Sequence, residues 1–210
     1  MILRRSYQNT VLLPDGTMVA VGGGVGDTVA DNKYAVDPNG RQRQVELYDP
    51  ATNQWRLGPA QVEDRGYHST ALLLPSGKVW SAGDNKHPTE PDGGFALTDT
   101  AEIYSPPYLY KGTRPSIVSA PSQVAWKQNF SVGIDSTKVP ADAAVLVAPA
   151  ATTHGDDASQ RMVRLVVRGS TSNRIDLTAP ASSGVAPPGY YMLFVLHQGV
   201  PSVAKWVKVG

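Results

Sequence analysis

Two adjacent side chains, Tyr67 and His68, offer the clearest chemistry in this chain of 210 residues. A phenol and an imidazole can both bind a transition metal, and imidazole suits copper in particular. Neighbouring side chains on a strand point to opposite faces, so the pair can share one ion only in a loop or at the entrance to a strand. Gly66 precedes the pair and gives the backbone freedom for such a conformation. Tyr-His pairs also occur by chance, so a metal site needs further donors from elsewhere in the chain.

The composition indicates a folded protein and argues against several classes of function. Hydrophobic residues make up 41% and charged residues 18% of the chain, as in compact globular proteins. The formal net charge of +1 argues against a general attraction to nucleic acid or to an anionic membrane. No apolar run is long enough to predict a transmembrane segment, and the first residues lack the apolar stretch of a signal peptide. The absence of cysteine removes disulfides and thiolate ligands.

Short runs of Val, Leu, Ile and Tyr between turn clusters predict an all-β fold, and one internal repeat is visible. The segment LLPDGTMV (residues 12–19) recurs as LLPSGKVW (residues 73–80), an offset of 61 residues (73 − 12). The segment ELYDP (residues 46–50) recurs as EIYSP (residues 102–106), an offset of 56 residues (102 − 46). Each unit predicts a four-stranded antiparallel sheet, and a kelch propeller blade has roughly 50 residues. Residues 1–113 are therefore predicted to form two kelch blades.

Two blades cannot close a propeller, which typically needs about four to eight of them. We therefore expect this chain to be a C-terminal piece whose upstream blades come from the same parent protein or from a partner chain. Beyond residue 113 the repeat stops, and regularly spaced short strands predict an immunoglobulin-like β-sandwich over residues 114–210. The run at 190–196 alternates weakly, which predicts burial on both faces. The seven predicted strands are 116–118, 130–134, 144–147, 162–167, 174–178, 190–196 and 203–209.

Several motifs, in order along the chain, resemble those of the copper radical oxidases, the family of galactose oxidase and glyoxal oxidase. The segment RGYHSTALLLPSG (residues 65–77) resembles the signature of that family's last blade. The order of the domains is similar too, because a kelch propeller precedes an immunoglobulin-like, early-set domain. The other matching segments are PPYLY (106–110), TRP (113–115), THGDDASQR (153–161), PGYYMLF (188–194) and GVPS (199–202).

This resemblance implies roles for three residues. Tyr67 corresponds to the axial tyrosine ligand, which takes the substrate's hydroxyl proton as a general base, and His68 and His154 correspond to the two histidine ligands of the copper. The implied parent oxidises a primary alcohol or an aldehyde, with a small aldehyde, alcohol or carbohydrate as substrate. It reduces O2 to hydrogen peroxide. We expect it to be extracellular or attached to the cell surface.

The chain also departs from the family in one respect. The family's cofactor includes a tyrosyl radical on a second tyrosine that is cross-linked to a cysteine. Both residues lie in earlier blades, this chain has no cysteine, and none of its tyrosines matches the second position. The tyrosyl–cysteine radical is therefore not encoded here, and we expect the isolated chain to be inactive.

Two other functions compete with the oxidase interpretation. Kelch propellers and immunoglobulin-like domains also serve as non-catalytic scaffolds that bind glycans or proteins. Histidine side chains more than ~8 Å apart would favour that scaffold, because one ion needs each nitrogen at about 2.0–2.1 Å. A serine hydrolase is disfavoured, because the chain has no Gly-x-Ser-x-Gly segment.

The remaining polar residues are expected to lie outside the metal site or to support it. We expect His197 to be solvated in a hairpin turn and His87 to be structural. Asp156 and Asp157 either orient His154 or form the polar tip of a loop. The loop at residues 24–40 is expected to face the substrate.

Overall fold

We describe the fold from a computed structural model, which describes residues 1–24, 28–30, 33–35, 42–84, 87–88, 95–96 and 98–210. Strands dominate, so the prediction of an all-β fold is confirmed. The first half contains β1 (Asn9–Leu12), β2 (Met18–Val21), β3 (Thr28–Ala30), β4 (Lys33–Ala35), β5 (Gln44–Asp49), β6 (Gln54–Ala60), β7 (Thr70–Leu73), β8 (Val79–Ala82), β9 (His87–Pro88), β10 (Phe95–Ala96) and β11 (Ala101–Tyr104). A short 3₁₀ helix follows at Pro107–Tyr110.

The second half begins after this helix. Its strands are β12 (Ile117–Ser119), β13 (Gln123–Val124), β14 (Asn129–Ile134), β15 (Ala143–Val147), β16 (Thr152–Thr153), β17 (Asp156–Asp157), β18 (Met162–Arg164), β19 (Val166–Ser170), β20 (Arg174–Thr178), β21 (Gly189–His197), β22 (Val200–Pro201) and β23 (Lys205–Val209). In the described part of the chain, no helix has the length and hydropathy needed to cross a membrane.

The strands are distributed over two compact units that are each discontinuous in sequence. The first unit comprises residues 1–73, 79–104 and 150–158, and the second comprises residues 74–78, 105–149 and 159–210. The chain therefore leaves each unit and returns to it. The domain boundary between residues 113 and 114 concerns the order of the two domains along the sequence, and it remains a prediction.

The first unit contains the two repeated sheets. Strands β1, β2, β5 and β6 form a four-stranded antiparallel sheet in that order, and β3 pairs with β4. The second sheet has the order β11-β8-β7, and β9 pairs with β10. Four strands were predicted for each unit of the repeat. Among the described residues the first sheet has four strands and the second has three.

The repeated Pro-Asp/Ser-Gly segment forms the same turn in both places. The amide of Leu13 donates to the Thr17 carbonyl at 2.9 Å, and the amide of Leu74 donates to the Lys78 carbonyl at 2.8 Å. Gly16 and Gly77 both have a positive φ, 92° and 80°, which glycine adopts without a steric penalty. The repeat seen in the sequence is therefore a repeat of backbone structure.

A buried ion pair extends the first repeat toward the N-terminus. Glu46 Oε1 accepts hydrogen bonds from the amides of Ile2 and Leu3, both at 2.7 Å. Arg5 Nη2 lies 3.7 Å from Glu46 Oε2, and both side chains are fully buried. The carboxylate thus fixes the chain segment that enters β1.

The second repeat contains an equivalent arrangement of a glutamate, two backbone amides and an arginine. The Glu102 carboxylate accepts hydrogen bonds from the amides of Val62 at 2.8 Å and Glu63 at 3.1 Å. Arg65 Nη2 lies 3.4 Å from Glu102 Oε1. Arg65 is therefore the counterpart of Arg5 at an offset of 60 residues (65 − 5), and it anchors the segment that leads into β7.

The second unit is a two-sheet sandwich. One sheet has the order β12-β14-β20-β19, and the other has the order β13-β23-β21-β15-β18 with β22 paired to β21. The inner faces of both sheets form one apolar core that includes Val132, Ile175, Leu177 and Leu193, each with no exposed surface. Six consecutive residues of β21, 191–196, are buried, so the prediction of burial on both faces is confirmed for them, whereas Tyr190 at the start of the predicted run is exposed.

One predicted strand of the sandwich was wrong. The run at 162–167 forms two strands, because β18 ends at Arg164 and β19 begins at Val166. β18 pairs with β15 in one sheet, and β19 pairs with β20 in the other. Buried Leu165 makes the transition and donates its amide to the Ala144 carbonyl at 3.0 Å. A run rich in apolar residues does not reveal where a chain passes from one sheet to the other.

Candidate metal centre

Tyr67 and His68 lie in a tight turn that ends where β7 begins. The amide of Ser69 donates to the Gly66 carbonyl at 3.1 Å, which closes the turn. His68 has φ 64°, so the left-handed residue is the histidine and not Gly66, to which the sequence analysis assigned the backbone freedom. Histidine is one of the residue types enriched in this region. The pair is thus held in a loop at a strand entrance, as a shared ion would require.

Buried polar contacts hold this turn in place. The Gly66 amide donates to Asp84 Oδ2 at 3.1 Å. The Arg65 carbonyl accepts from the amide of Gly23 at 2.6 Å, and Arg65 Nη1 donates to the Gly83 carbonyl at 3.3 Å. On the other side of the pair, Ser69 Oγ accepts from Asn9 Nδ2 at 3.1 Å. The side chains that make these contacts are all buried: Asn9, Arg65, Ser69 and Asp84. The first unit therefore fixes the position of the turn.

His154 lies at the tip of a hairpin between β16 and β17. The loop consists of His154 and Gly155, with φ 55° and 86°, and two positive φ values are what a two-residue type I′ turn requires. A Cβ on Gly155 would lie 3.0 Å from the carbonyl oxygen of Gln8, so the hairpin also needs glycine for its close approach to residues 7–8. Residues 150–158 belong to the first unit, the unit that contains Tyr67 and His68.

Two contacts fix the hairpin. The hydroxyls of Thr152 and Thr70 lie 2.6 Å apart, which joins the hairpin to β7. Asp157 Oδ1 accepts the amide of Ala151 at 2.9 Å across the base of the hairpin. Of the two acidic residues at the hairpin, Asp157 thus contributes to the fold of the loop, and Asp156 is exposed to solvent.

The two histidines meet at their Nε2 atoms. These nitrogens are 2.8 Å apart, and the ring centroids are 4.5 Å apart with the planes at 79°. One N–H···N hydrogen bond accounts for this distance. The same distance fits two ligands of one ion, because nitrogens about 2.0–2.1 Å from an ion and 2.8 Å apart subtend about 84–89° at it. An angle near 90° is typical of the tetragonal sites that Cu(II) prefers, and a tetrahedral site needs a wider one.

Thr153 orients the imidazole of His154. Its Oγ1 lies 2.7 Å from His154 Nδ1. When Nδ1 carries the ring proton, it donates to this hydroxyl, and the Nε2 lone pair is left to bind a metal. Metal-binding histidines commonly use the second ring nitrogen in this way. The sequence left open whether Asp156 and Asp157 orient His154 or form the polar tip of the loop, and the partner of Nδ1 in the structure is the preceding threonine.

The Tyr67 ring packs against both imidazoles. Its centroid is 3.9 Å from that of His68, in a stacked arrangement, and 5.5 Å from that of His154. The structure thus brings all three predicted ligand residues together. In the described part of the chain, no three His, Cys, Asp or Glu side chains form a cluster that could hold a metal. The donors that the described residues offer at this place are thus the two imidazoles and the Tyr67 phenol.

One residue of this cluster was missed by the sequence analysis. Tyr7 makes an edge-to-face contact with Tyr67, with centroids 5.1 Å apart and planes at 85°, and it has φ 56°. A signal was available, because Arg5-x-Tyr7 recurs as Arg65-x-Tyr67 at the 60-residue offset of the buried arginines. Tyr7 is thus the counterpart of Tyr67 in the preceding blade.

Comparison with known proteins agrees with this arrangement. Residues 114–209 match the family model of the galactose oxidase-like early set domain, and residues 5–60 match the kelch motif. The chain belongs to the galactose oxidase-like family. It is 32% identical over 224 residues to aldehyde oxidase GLOX1 of Arabidopsis thaliana, and the match covers 98% of this chain and 36% of that protein. It is 32% identical over 219 residues to galactose oxidase of Gibberella zeae, with 98% and 29% covered.

A solved structure of the same group gives a similar result. A fungal alcohol oxidase of the AA5 family, in complex with copper, is 29% identical to this chain. The superposition has a TM-score of 0.83 and covers all of this chain and 43% of the alcohol oxidase chain. This galactose oxidase-like chain thus spans about a third of the length of the curated relatives that it matches.

The remaining predicted residues lie outside the cluster. His197 ends β21, and its Nδ1 is 3.6 Å from Asp142 Oδ2 with the side chain 25% exposed, so the expectation of a solvated histidine was wrong. His87 lies in β9, and its side chain is outside the described residues, as is most of the loop at 24–40.

Proposed function

We propose that this chain is the C-terminal part of a copper radical oxidase, with kelch blades in residues 1–113 and an immunoglobulin-like domain in residues 114–210. In this proposal Tyr67, His68 and His154 are its copper ligands. The observation that carries the proposal is the 2.8 Å separation of the two Nε2 atoms, which are 86 residues apart in sequence (154 − 68). The family relationship adds support, because the alcohol oxidase that resembles this chain contains copper.

Each residue of the cluster has a separate task. His68 and His154 donate their Nε2 lone pairs, and Thr153 keeps the proton of His154 on Nδ1. Tyr67 would hold the copper through its phenol oxygen and, as the tyrosinate, would take the hydroxyl proton of the substrate. When bound, copper together with a tyrosyl–cysteine radical from outside this chain supplies the redox chemistry that moves two electrons from the substrate to O2, forming hydrogen peroxide.

The substrate is a primary alcohol or an aldehyde, including a carbohydrate alcohol. The relatives are named aldehyde oxidases, a galactose oxidase and an alcohol oxidase, and their names cover this range. The upstream blades would supply the radical tyrosine and its cysteine. We further propose an extracellular or cell-surface location for the parent.

Copper binding to the purified 210-residue chain tests the ligand assignment. Cu(II) is titrated into the chain, and electron paramagnetic resonance counts the coordinated nitrogens. We expect one copper with two nitrogens in the wild type and one nitrogen in His68→Ala or His154→Ala. His197→Ala is the matched control and should retain both. A two-nitrogen signal that survives loss of His154 would overturn the assignment.

Activity is tested on the parent and on the chain side by side. Peroxide release from alcohols and aldehydes is expected from the parent, with loss of activity in Tyr67→Phe, and none from the copper-loaded chain. An inactive parent that retains specific glycan or protein binding after both histidines are removed would instead support the non-catalytic scaffold.

A further inference from the structure

The outer face of the β12-β14-β20-β19 sheet contains a polar groove that has no part in the proposed copper chemistry. It has a volume of about 390 Å³ and lies wholly within the second unit. Its lining comes from three adjacent strands and includes two guanidinium groups. The lining residues are Asn129, Phe130, Ser131, Arg168, Arg174 and Asp176.

A β-bulge places one of the two arginines. In the pairing of β19 with β20, Val167 lies opposite Leu177 and Gly169 lies opposite Asp176, so Arg168 is the extra residue between them. Leu177 is fully buried and Arg168 is exposed. Bulges redirect a side chain and are over-represented beside functional sites. Here the bulge adds a cation to the outer face at the level of Asp176.

The charges of the groove are only partly paired. Arg174 Nη2 lies 3.1 Å from Asp176 Oδ2, and Ser131 Oγ donates to Asp176 Oδ1 at 2.5 Å. The Arg168 side chain makes no hydrogen bond or ion pair with any residue that the structure describes. Two guanidinium groups and one carboxylate leave the lining with a net charge of +1 (2 − 1). The groove therefore offers a cation whose hydrogen-bonding capacity is unused.

The mixture of groups indicates the kind of ligand. A guanidinium group binds a carboxylate through two parallel hydrogen bonds. Asp176, Asn129 and Ser131 offer acceptors and a hydroxyl beside it, which suit the hydroxyl groups of a sugar. A peptide rich in Asp and Glu has carboxylates but few hydroxyls, so it offers fewer hydrogen-bond donors to these acceptors.

We propose that this groove binds a uronic acid residue of an acidic polysaccharide. The carboxylate of the sugar pairs with Arg168, and its hydroxyls hydrogen-bond to Asp176 and its neighbours. The proposal is independent of copper, because all the groups involved belong to the second unit. It would give the sandwich unit a means of holding the protein at an acidic glycan.

Titration of the full chain with trigalacturonic acid tests this proposal. Binding is followed by isothermal calorimetry and by amide chemical shifts at low ionic strength. We expect shifts centred on β19 and β20 and an affinity that falls as salt is added. Galactotriose, which lacks the carboxylate, and triglutamate, which lacks the hydroxyls, should each bind at least about tenfold more weakly, a difference of about 1.4 kcal/mol.

Variants make the test specific to the groove. Arg168→Ala is expected to weaken binding of trigalacturonic acid about tenfold, and Arg168→Lys should weaken it less, because one forked hydrogen bond is lost but the charge is kept. Arg164→Ala is the matched control, an exposed arginine of β18 in the other sheet, and should bind as the wild type does. Equal affinity of Arg168→Ala and the wild type, or equally tight binding of triglutamate, would overturn the proposal. An unchanged affinity in a His68→Ala chain would show that the groove acts independently of the copper ligands.

Discussion

Replacement of Thr153 by valine is the most direct test of how the candidate copper site is built. Valine has nearly the same shape as threonine but lacks the hydroxyl that lies 2.7 Å from His154 Nδ1. Without this partner the imidazole is no longer held in the tautomer and orientation that expose Nε2. We therefore expect weaker copper binding while the hairpin keeps its fold.

The expected magnitude follows from the position of the hydrogen bond. Loss of a partner that orients a metal ligand typically lowers metal affinity about 10- to 100-fold. Thr153 and His154 are both exposed, so water can replace part of the lost contact. The lower end of the range applies, and Thr153→Val should weaken Cu(II) binding about tenfold, or about 1.4 kcal/mol.

The assay is a competition titration of Cu(II) against a chelator of known affinity. Thr153→Ser is the matched control, because it keeps the hydroxyl and removes only a methyl group, and it should bind copper nearly as the wild type does. Thermal unfolding of all three proteins shows whether the hairpin is intact. If Thr153→Val binds copper as tightly as the wild type, or if serine does not restore binding, the orienting role of Thr153 is refuted.

Three further changes test the architecture around the site. Gly155→Ala should destabilise the first unit by about 1–2 kcal/mol, because alanine is strained at φ 86° and its Cβ would lie 3.0 Å from the Gln8 carbonyl oxygen. Denaturant unfolding measures this loss. Gly112→Ala is the control and should have little effect, because a Cβ at residue 112 would meet no neighbouring atom within 4 Å. Glu46→Gln leaves a fully buried Arg5 without its countercharge and should cost about 3 kcal/mol in the same assay, so a cost below about 1 kcal/mol would contradict the reasoning. Burial raises the pKa of Tyr191, so its contribution to stability is complete below about pH 10, the pKa of an unfolded tyrosine, and is lost as the pH rises through the folded value. Tyr191→Phe should therefore reduce the loss of stability above pH 10, which denaturant unfolding at a series of pH values measures.

The sequence predicted best where local chemistry determines the backbone. The Pro-Asp/Ser-Gly segments form equivalent turns because glycine supplies the positive φ at residues 16 and 77. The strand predicted at 174–178 coincides with β20, where polar and apolar residues alternate between the two faces. In both cases the information lies within a few neighbouring residues.

Features that depend on distant residues could not be predicted in this way. No local signal indicates that residues 150–158 return to the first unit, or that Leu165 carries the chain from one sheet to the other. Only the resemblance to a family pointed to His154 as part of the candidate copper site, and no local signal pointed to Thr153 as its partner. Tyr7 was missed because the repeat was recognised from its turns, whereas the buried Arg5 and Arg65 extend it further toward the N-terminus.

The backbone itself supplies an argument for function at the cluster. Tyr7, His68 and His154 all have left-handed φ values between 55° and 64°. Such a conformation costs about 1–2 kcal/mol for a residue with a Cβ, and glycine would avoid the cost. Asn53, Lys127 and Gln198 are left-handed as well, with φ of 49–64°, so the conformation alone does not mark a site; the rings of Tyr7, His68 and His154 differ in that all three contact Tyr67. Folding alone does not explain why a tyrosine and two histidines stand at three such positions around Tyr67. A need for their rings at one place does explain it, since strained residues that contact one another are typical of binding and catalytic sites.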